Sequence, residues 1–536
     1  MVPSPISHTS ARVLEFDTFL DLLRAYAPSP LGQMRIAGLA PSADRAWVEQ
    51  QHQLTSEIRE FLRVGSRFEF SGLLDPAPLV EKSRIGGAAL ETAEIRDIVA
   101  VVDRAAEWRE IALHPPAAMK TEWRAVPELS AAIIDFTDFL RSFRNKILPD
   151  GTLDDRASPQ LGAVRREIEK QKRLIQESLR SHLRRLAEGG AVQDELVTIR
   201  GERFVIPVKI EQKRRVNGVV HGASSSGQTV FIEPLETIEQ NNELVRLLEE
   251  ENAEVHRILL DMTGRIGEVA DALEQASVIL GEIELQFAKA QFARDYQCVR
   301  PLISNHKITK SLNHEISQPS GTSLKLIAAR HPVLERNLKA HGRNIVPISL
   351  ALEGDARQLI ISGPNTGGKT VGLKTVGLLV LMAQSGIPVP AESAKLPVFD
   401  AVFADIGDYQ SIEQNLSTFS AHVSNIDFIS KTATPQSLVL LDELGSATDP
   451  EEGAALAVAI AKHFLDLGAT SVISTHHTAL KVYATNTPGV VNAAVGFDEK
   501  TLQPTYELKV GVPGASAGIN IAQRLGLNAQ DRKSVV

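Results

Sequence analysis

Cysteine is nearly missing from this chain: it occurs once in 536 residues, as Cys298. A single thiol excludes an intrachain disulfide framework and any zinc site built on cysteines. Long apolar runs are missing too. No stretch approaches the ~20 residues that a membrane-spanning helix needs, and the N-terminus lacks the basic-then-apolar layout of a signal peptide. The chain is therefore expected to be cytoplasmic, with no membrane partner. Positive charge is also short: 57 Lys and Arg face 66 Asp and Glu, a net charge of −9. That balance does not announce nucleic-acid binding, so any contact with phosphates must come from local clusters of Lys and Arg. Length is not lacking, and three or more domains with sizeable cores fit.

The stretch that carries most information is GPNTGGKT at 363–370, which fits the phosphate loop G-x-x-x-x-G-K-[ST] at every fixed position. Its members are Gly363, Pro364, Asn365, Thr366, Gly367, Gly368, Lys369 and Thr370. The glycines let the backbone turn tightly and aim its N–H groups at a phosphate. Lys369 can reach the β and γ phosphates, and the Thr370 hydroxyl can sit on Mg²⁺. The flanks suit the motif: 358–362 predicts a short apolar strand and 371–384 a helix, stopped by Gly386 and Pro388.

Downstream, 437–441 reads as a fully buried strand ending in Asp442 and Glu443. Asp442 would hold Mg²⁺ through water, and Glu443 is placed to act as general base on an attacking water. The competing reading, a helix cap followed by a first-turn acid, is weakened by a better helix start further on. Asp449-Pro450-Glu451-Glu452 supplies an N-cap, a proline and two first-turn acids ahead of an Ala-rich helix at 453–467. A further buried strand, 470–475, ends at His476 and His477. His476 can sense the γ phosphate or position the water, although either histidine also suits a helix N-terminus.

The middle third holds the basic clusters. Leu161, Val164, Ile168, Ile175, Leu179, Leu183 and Leu186 recur at helical spacing in a segment running to about Glu188. That segment carries eight basic residues against four acids and stops at Gly189-Gly190. Strand-like stretches follow at 196–209, 216–221 and 229–232, with a basic turn at Lys213, Arg214 and Arg215 and a small-residue run at 223–227. From Leu235 a second helical pattern carries Leu244, Leu248, Val255, Leu259 and Met262. Two long helices with a β unit between them describe an antiparallel arm with a tip. The plainer alternative is a coiled coil whose charges are a solvated face. Residues 1–150 are mostly helical, with Phe19, Leu22, Leu23 and Tyr26 as a core stripe.

These pieces together resemble one family, the MutS-type mismatch-repair ATPases of the ABC-like P-loop class. The matching stretches are ARHPVLE (329–335), GPNTGGKT, ADIGDYQSIEQNLSTFSAHVSNI (404–426), LLDELGSATDPEEGAALAVAI (440–460) and STHHTALK (474–481). Their wording is similar to the second bacterial branch, MutS-two, as are VHGASSSGQTVFIEPL (220–235) and LEFDTFLDLLRAYAPSPLG (14–32). The resemblance covers nearly the whole chain. Two residues depart from the pattern. Ala447 stands where the family usually has Gly, and Tyr409 where an acid is usual. Both bear on turnover rate more than on nucleotide binding.

The resemblance implies an α/β, ABC-like P-loop ATPase domain attached to a long helical lever arm with a small β-containing clamp. The expected divisions are a helical base at 1–155, the arm at 156–296 with its tip at about 195–235, and a connector at 297–325. The ATPase and dimerisation domain then takes 326–527, and a tail takes 528–536. It further implies a homodimer. Lys369, Thr370, Asp442, Glu443 and His476 would act on ATP and Mg²⁺ in their own subunit, while Ser417 would contact the γ phosphate of the partner's nucleotide. Residues 345–347 are a candidate adenine-side wall, equally consistent with core. Two targets are implied: branched or recombining DNA, where the clamp would suppress homologous recombination, or stalled and collided ribosomes, which it would split. A purely structural coiled-coil scaffold is the third reading. MutS proper has an N-terminal mismatch-reading domain with a Phe-x-Glu wedge ahead of its lever, and no counterpart is found here. Residues 514–527 resemble the family's dimer-forming end, and no Leu-Asp-Leu-His-Gly or His-Gly-x-Gly motif follows. The chain reads as a short or truncated form, and endonuclease activity is not expected of these residues.

Overall fold

The computed structural model describes residues 8–187, 197–304, 307–308, 319–320, 323–364, 367–407, 418–446, 449–498 and 503–512. The chain divides into two compact units that do not follow chain order. One gathers residues up to Gly72, Ile111–Ala131 and everything from Ile279 on; the other takes Leu73–Glu110 and Ala132–Val278. The helical region expected as one base at 1–155 is thus shared between both. The physical reason is packing: Phe19 meets Phe292 edge-on, with ring centroids 5.3 Å apart, and Leu14, Phe16 and Leu23 join one core with residues as distant as Leu440.

In the first unit a six-stranded sheet runs in the order Val402–Asp405, Leu438–Leu441, Thr470–Thr475, Gln358–Ser362, Val490–Asp498, Gln503–Val510. The first five strands are parallel, and only the last pairs antiparallel. Helices cover both faces, which is why these strands read as unbroken apolar runs. Leu359, Ile361, Leu438, Leu440 and Val472 enter one core. Their neighbours Ile360, Val439, Leu441 and Ile473 enter the other, with Ala457, Ala461, Phe464 and Leu480. A second sheet, of four strands, runs in the order Leu302–Ser304, Ser393–Pro397, Leu324–Ala329, Ile348–Leu352.

The helix after the phosphate loop, Lys369–Gln384, is buried without interruption from Thr375 to Gln384. It is apolar nearly all round, as a helix enclosed on every side must be. Gly377 is required there, because a Cβ would lie 2.5 Å from Leu14 Cδ2 and 2.7 Å from Leu440 Cδ1. The helix's far end is held by side chains. His52 Nε2 donates to Ala383 O at 2.9 Å, and Lys289 Nζ donates to Ser385 O at 3.1 Å and to Gln51 Oε1 at 3.2 Å. Burial drives both groups toward neutrality, His52 to about 3 and Lys289 to about 8.

In the second unit helices Pro159–Ala187 and Leu235–Glu268 run antiparallel, as the pairs Ser158–Glu254 and His182–Glu236 show. They pack on a four-stranded antiparallel sheet ordered Thr198–Arg200, Arg203–Lys209, Thr229–Pro234, Gly218–Ala223. The stripe expected on the first helix is buried from Leu161 to Leu183. On the second helix the buried face is Leu244, Leu247, Ile258 and Met262, interrupted by Asn241 and Glu254. Leu248 is only partly buried, and Val255 and Leu259 sit beside this face rather than on it. Both polar residues have duties. Asn241 bonds the N–H and the carbonyl of Phe204 at 2.9 and 3.0 Å, and Glu254 accepts from Ser158 at 2.6 Å. Several of the basic residues are paired: Arg165 with Asp155 and Glu251, Lys170 with Glu167, Lys172 with Glu169. Lys213, Arg214 and Arg215 are exposed and lie in a 3-10 helix, Ile210–Arg215, rather than an open turn.

Candidate nucleotide-binding site

Strand Gln358–Ser362 delivers the phosphate loop at the C-terminal edge of the parallel sheet. Gly363 has φ 136° and Gly368 φ 93°, conformations that side chains disfavour. A Cβ on Gly363 or Gly367 would also sit 2.5 Å from Val495 Cγ2. Gly368 is the N-cap of the helix, which therefore begins at Lys369, two residues earlier than its apolar pattern suggests. A glycine cap leaves the first-turn N–H groups without a side-chain acceptor, the arrangement that takes up an anion. Asn365 and Thr366 lie outside the described residues.

Lys369 is 1% exposed, and its Nζ donates to Gly363 O at 2.6 Å across the mouth of the loop. Burial lowers its pKa, opposed by the charges of Glu443 and Asp442. Thr370 Oγ1 donates to Asp442 Oδ2 at 2.6 Å, so hydroxyl and carboxylate converge although 72 positions separate them. Ser474 Oγ donates to the other carboxylate oxygen of Asp442, and the Glu443 N–H donates to Ser474 Oγ at 2.9 Å. Glu443 itself has φ 49°, a conformation that a non-glycine residue holds only when its surroundings impose it. Here Ser474 and the strand end impose it.

A second buried carboxylate stands alongside. The Asp442 N–H donates to Asp405 O at 2.8 Å, and the Asp405 side chain accepts from His422 Nδ1 at 2.7 Å and Asn425 Nδ2 at 2.8 Å. Asp405, Asp442, Glu443, Val423 and Leu456 help line a cavity of about 200 Å³. Sequence reading assigned no role to Asp405, Ser474, His422 or Asn425. For Asp405 and Ser474 the available signal was a polar residue at the end of an apolar strand, whereas His422 and Asn425 sit three positions apart on the helix Thr418–Thr432.

His476 closes the strand Thr470–Thr475 on the exposed side, its ring 4.2 Å from that of His477. Burial lowers its pKa, helped by His477 and by the cations Lys369 and Lys481. His477 is the residue at a helix start, capping Thr478–Asn486. Beside Gly368 lies a cavity of about 330 Å³ whose walls include Ile345, Val346, Val371 and Tyr506. His331 also lines it, spending Nδ1 on the Leu334 N–H at 3.4 Å. Burial pushes His331 down to about 4. Ser417, Tyr409, Ala447 and 514–527 lie outside the described residues, as do Gly189 and Gly190; helix Thr418–Thr432 begins directly after Ser417. Lys213, Arg214 and Arg215 belong to the other unit.

The cradle and its donors suit a magnesium nucleotide. The loop glycines leave room where a Cβ would collide, and Thr370 with Asp442 offers the few hard oxygens that Mg²⁺ takes alongside waters and phosphates. Among the described residues no cluster of three or more His, Cys, Asp or Glu forms a metal cage. Nor is any described helix long and apolar enough to cross a membrane.

A phosphate loop between a parallel strand and a buried helix, facing an acid pair two strands away, places the first unit in the P-loop class. The sequence matches MutS domain V over residues 359–531. It is 41% identical over 526 residues to the endonuclease MutS2 of Thermomicrobium roseum, covering 96% of this chain and 64% of that protein. It is 38% identical to the endonuclease MutS2 of Geobacillus thermodenitrificans (96% and 63% covered) and 37% identical to that of Alkaliphilus oremlandii (98% and 63%). The chain belongs to the MutS family, in its MutS2 branch. It spans just under two thirds of the length of these relatives.

Proposed function

We propose that this chain is a dimeric, Mg²⁺-dependent ATPase that uses ATP binding and hydrolysis to drive a clamp-like conformational change on branched or recombining DNA. In that role it suppresses homologous recombination. The observation that carries the reading is the convergence of Lys369, Thr370, Asp442 and Glu443 on one phosphate loop. Lys369 leaves Gly363 O for the β and γ phosphates, and the first-turn N–H groups share their charge. Thr370 and Asp442 would hold Mg²⁺, which when bound would supply a positive charge beside the phosphates. Glu443 takes the proton of the attacking water, and His476, held neutral, orients it. Ser417 reaches the nucleotide of the second subunit. Lys213, Arg214 and Arg215 grip phosphates without reading sequence.

The test pairs two assays on the protein: Mg²⁺-dependent ATP turnover, and ATP-modulated gel shifts on four-way junctions set against co-sedimentation with ribosomes. Junction binding with turnover supports the reading. Sedimentation with ribosomes and indifference to junctions would replace the target, and absence of turnover would remove the ATPase itself.

A further inference from the structure

Two helical stretches of the first unit face each other with the same periodicity. On helix Arg45–Arg63, residues Ser56, Arg59, Glu60 and Arg63 follow the i, i+3, i+4, i+7 spacing of one face. At the end of helix Ala270–Asp295 and just beyond it, Ala290, Ala293, Arg294 and Gln297 follow the same spacing. With Thr121 these faces line a cleft of about 520 Å³, every wall of which belongs to the first unit. Aromatic packing fixes the walls. The Phe61 ring stacks on Trp123 at 6.0 Å and meets Phe287 edge-on at 5.9 Å. Ala290 and Ala293 are buried, so the second helix puts almost no bulk between the walls.

Charge inside the cleft is uneven. Arg59, Arg63 and Arg294 line it against one acid, Glu60. Glu60 is already engaged: it accepts from Arg63 Nε and Nη2 at 2.6 and 2.7 Å and from the Lys120 N–H at 2.9 Å, bonds that hold its carboxyl down at about 2. Arg294 bonds Asp295 at 2.9 Å on the rim and is 66% exposed. Arg59 is part-buried and makes no hydrogen bond or ion pair among the described residues. Its charge is felt inward, where it opposes the burial that pushes the Cys298 thiol up. A guanidinium brings five donors in a planar fork, and here the protein offers that fork no acceptor.

We propose that this cleft binds a phosphorylated small molecule, with Arg59 anchoring the phosphate and Arg63 and Arg294 closing on it from the rim. Guanidinium forks match phosphate oxygens in paired N–H···O bonds, and Arg63 keeps Nη1 for that purpose while Glu60 holds its other nitrogens. Thr121 and Gln297 add a hydroxyl and an amide to the lining. A nucleic-acid backbone is tracked by basic residues strung along an open groove. These three arginines instead surround one walled cleft whose volume is that of a small-molecule site. The cleft shares no lining residue with the phosphate loop or with the cavity beside it, so it is a second, separate anion site.

Calorimetric titration with inorganic pyrophosphate tests this, with Lys369→Ala as the starting protein so that the phosphate loop does not compete. The expected result is one site per chain. Adding Arg59→Gln should weaken it roughly 10- to 100-fold, the range for loss of a charge-assisted bond. Adding Arg294→Gln, on the exposed rim where folding does not depend on it, should weaken it severalfold. Ribose 5-phosphate should displace the pyrophosphate. Absence of a site in Lys369→Ala overturns the proposal, as does unchanged affinity with Arg59→Gln or, where that protein fails to fold, with Arg294→Gln. Failure of the sugar phosphate to compete also overturns it, and displacement by a short single-stranded oligonucleotide instead would make the cleft a nucleic-acid contact.

Discussion

Replacing Lys289 by methionine separates burial of a charge from the hydrogen bonds that the charge makes. The Lys289 amine is wholly buried and falls from the ordinary 10.5 to about 8. Below about pH 8 the native state holds an ammonium that the unfolded chain solvates better, and that difference penalises folding by about 3 kcal/mol at neutral pH. From about pH 8 to 10.5 the unfolded chain still binds a proton that the native state has released, so stability rises with pH. Methionine removes the penalty but leaves Ser385 O without its donor, a loss of about 1–3 kcal/mol. Gln51 Oε1 keeps the bond from Gln286 Nε2 at 2.7 Å. At about pH 7 the two effects nearly cancel, so Lys289→Met should lie within about 2 kcal/mol of the wild type. The pH dependence then decides. Between about pH 7 and pH 9.5 the wild type should gain about 2 kcal/mol relative to the variant. Urea unfolding followed by tryptophan fluorescence measures both proteins across that range. Parallel pH profiles would refute the reasoning, because Lys289 would then keep its proton in the native state, with Glu282 as counter-charge.

Three further outcomes are expected. Lys369→Ala should lose ATP binding, whereas Glu443→Ala should bind ATP and fail to hydrolyse it; equal loss of binding by both in equilibrium dialysis would remove the role given to Glu443. Ser474→Ala takes a donor from Asp442 and an acceptor from the Glu443 N–H. Charge-linked bonds of about 1.5–3 kcal/mol put the fall in kcat at roughly 10- to 100-fold with ATP affinity little changed, and an unaltered kcat would contradict this. Neutralising Lys213, Arg214 and Arg215 together should flatten the slope of log K against log salt by about 0.9 per lost contact on duplex DNA, and an unchanged slope would mark them as solvated surface.

The phosphate loop and the acidic strand were legible because their chemistry is local: fixed spacing, one strand before, one helix after. The stripe from Leu161 to Leu183 was legible for the same reason, being a period within one helix. Its partner was misread in part, since Asn241 and Glu254 sit on the buried face and hydrophobicity alone steps around them. Ser474 and Asp405 acquire meaning only when separate strands are laid side by side. The 1–155 region looked like one domain because its helices are contiguous in sequence, whereas their packing partners lie hundreds of residues away.

That last arrangement bears on how the protein is made. The unit formed by Leu73–Glu110 and Ala132–Val278 has all its residues once the chain is synthesised to Val278. The helix Phe16–Arg24 must wait, because the surfaces that cover Leu14, Phe19 and Leu23 include Phe292 and the helix Lys369–Gln384. At about 5–20 residues per second, this amphipathic segment is exported tens of seconds before its partner exists. During that interval its apolar face is open to chaperones or to other nascent chains. Closure of the nucleotide-binding unit is therefore a late event in biogenesis, and a chain halted before residue 369 would present a folded middle with a sticky beginning.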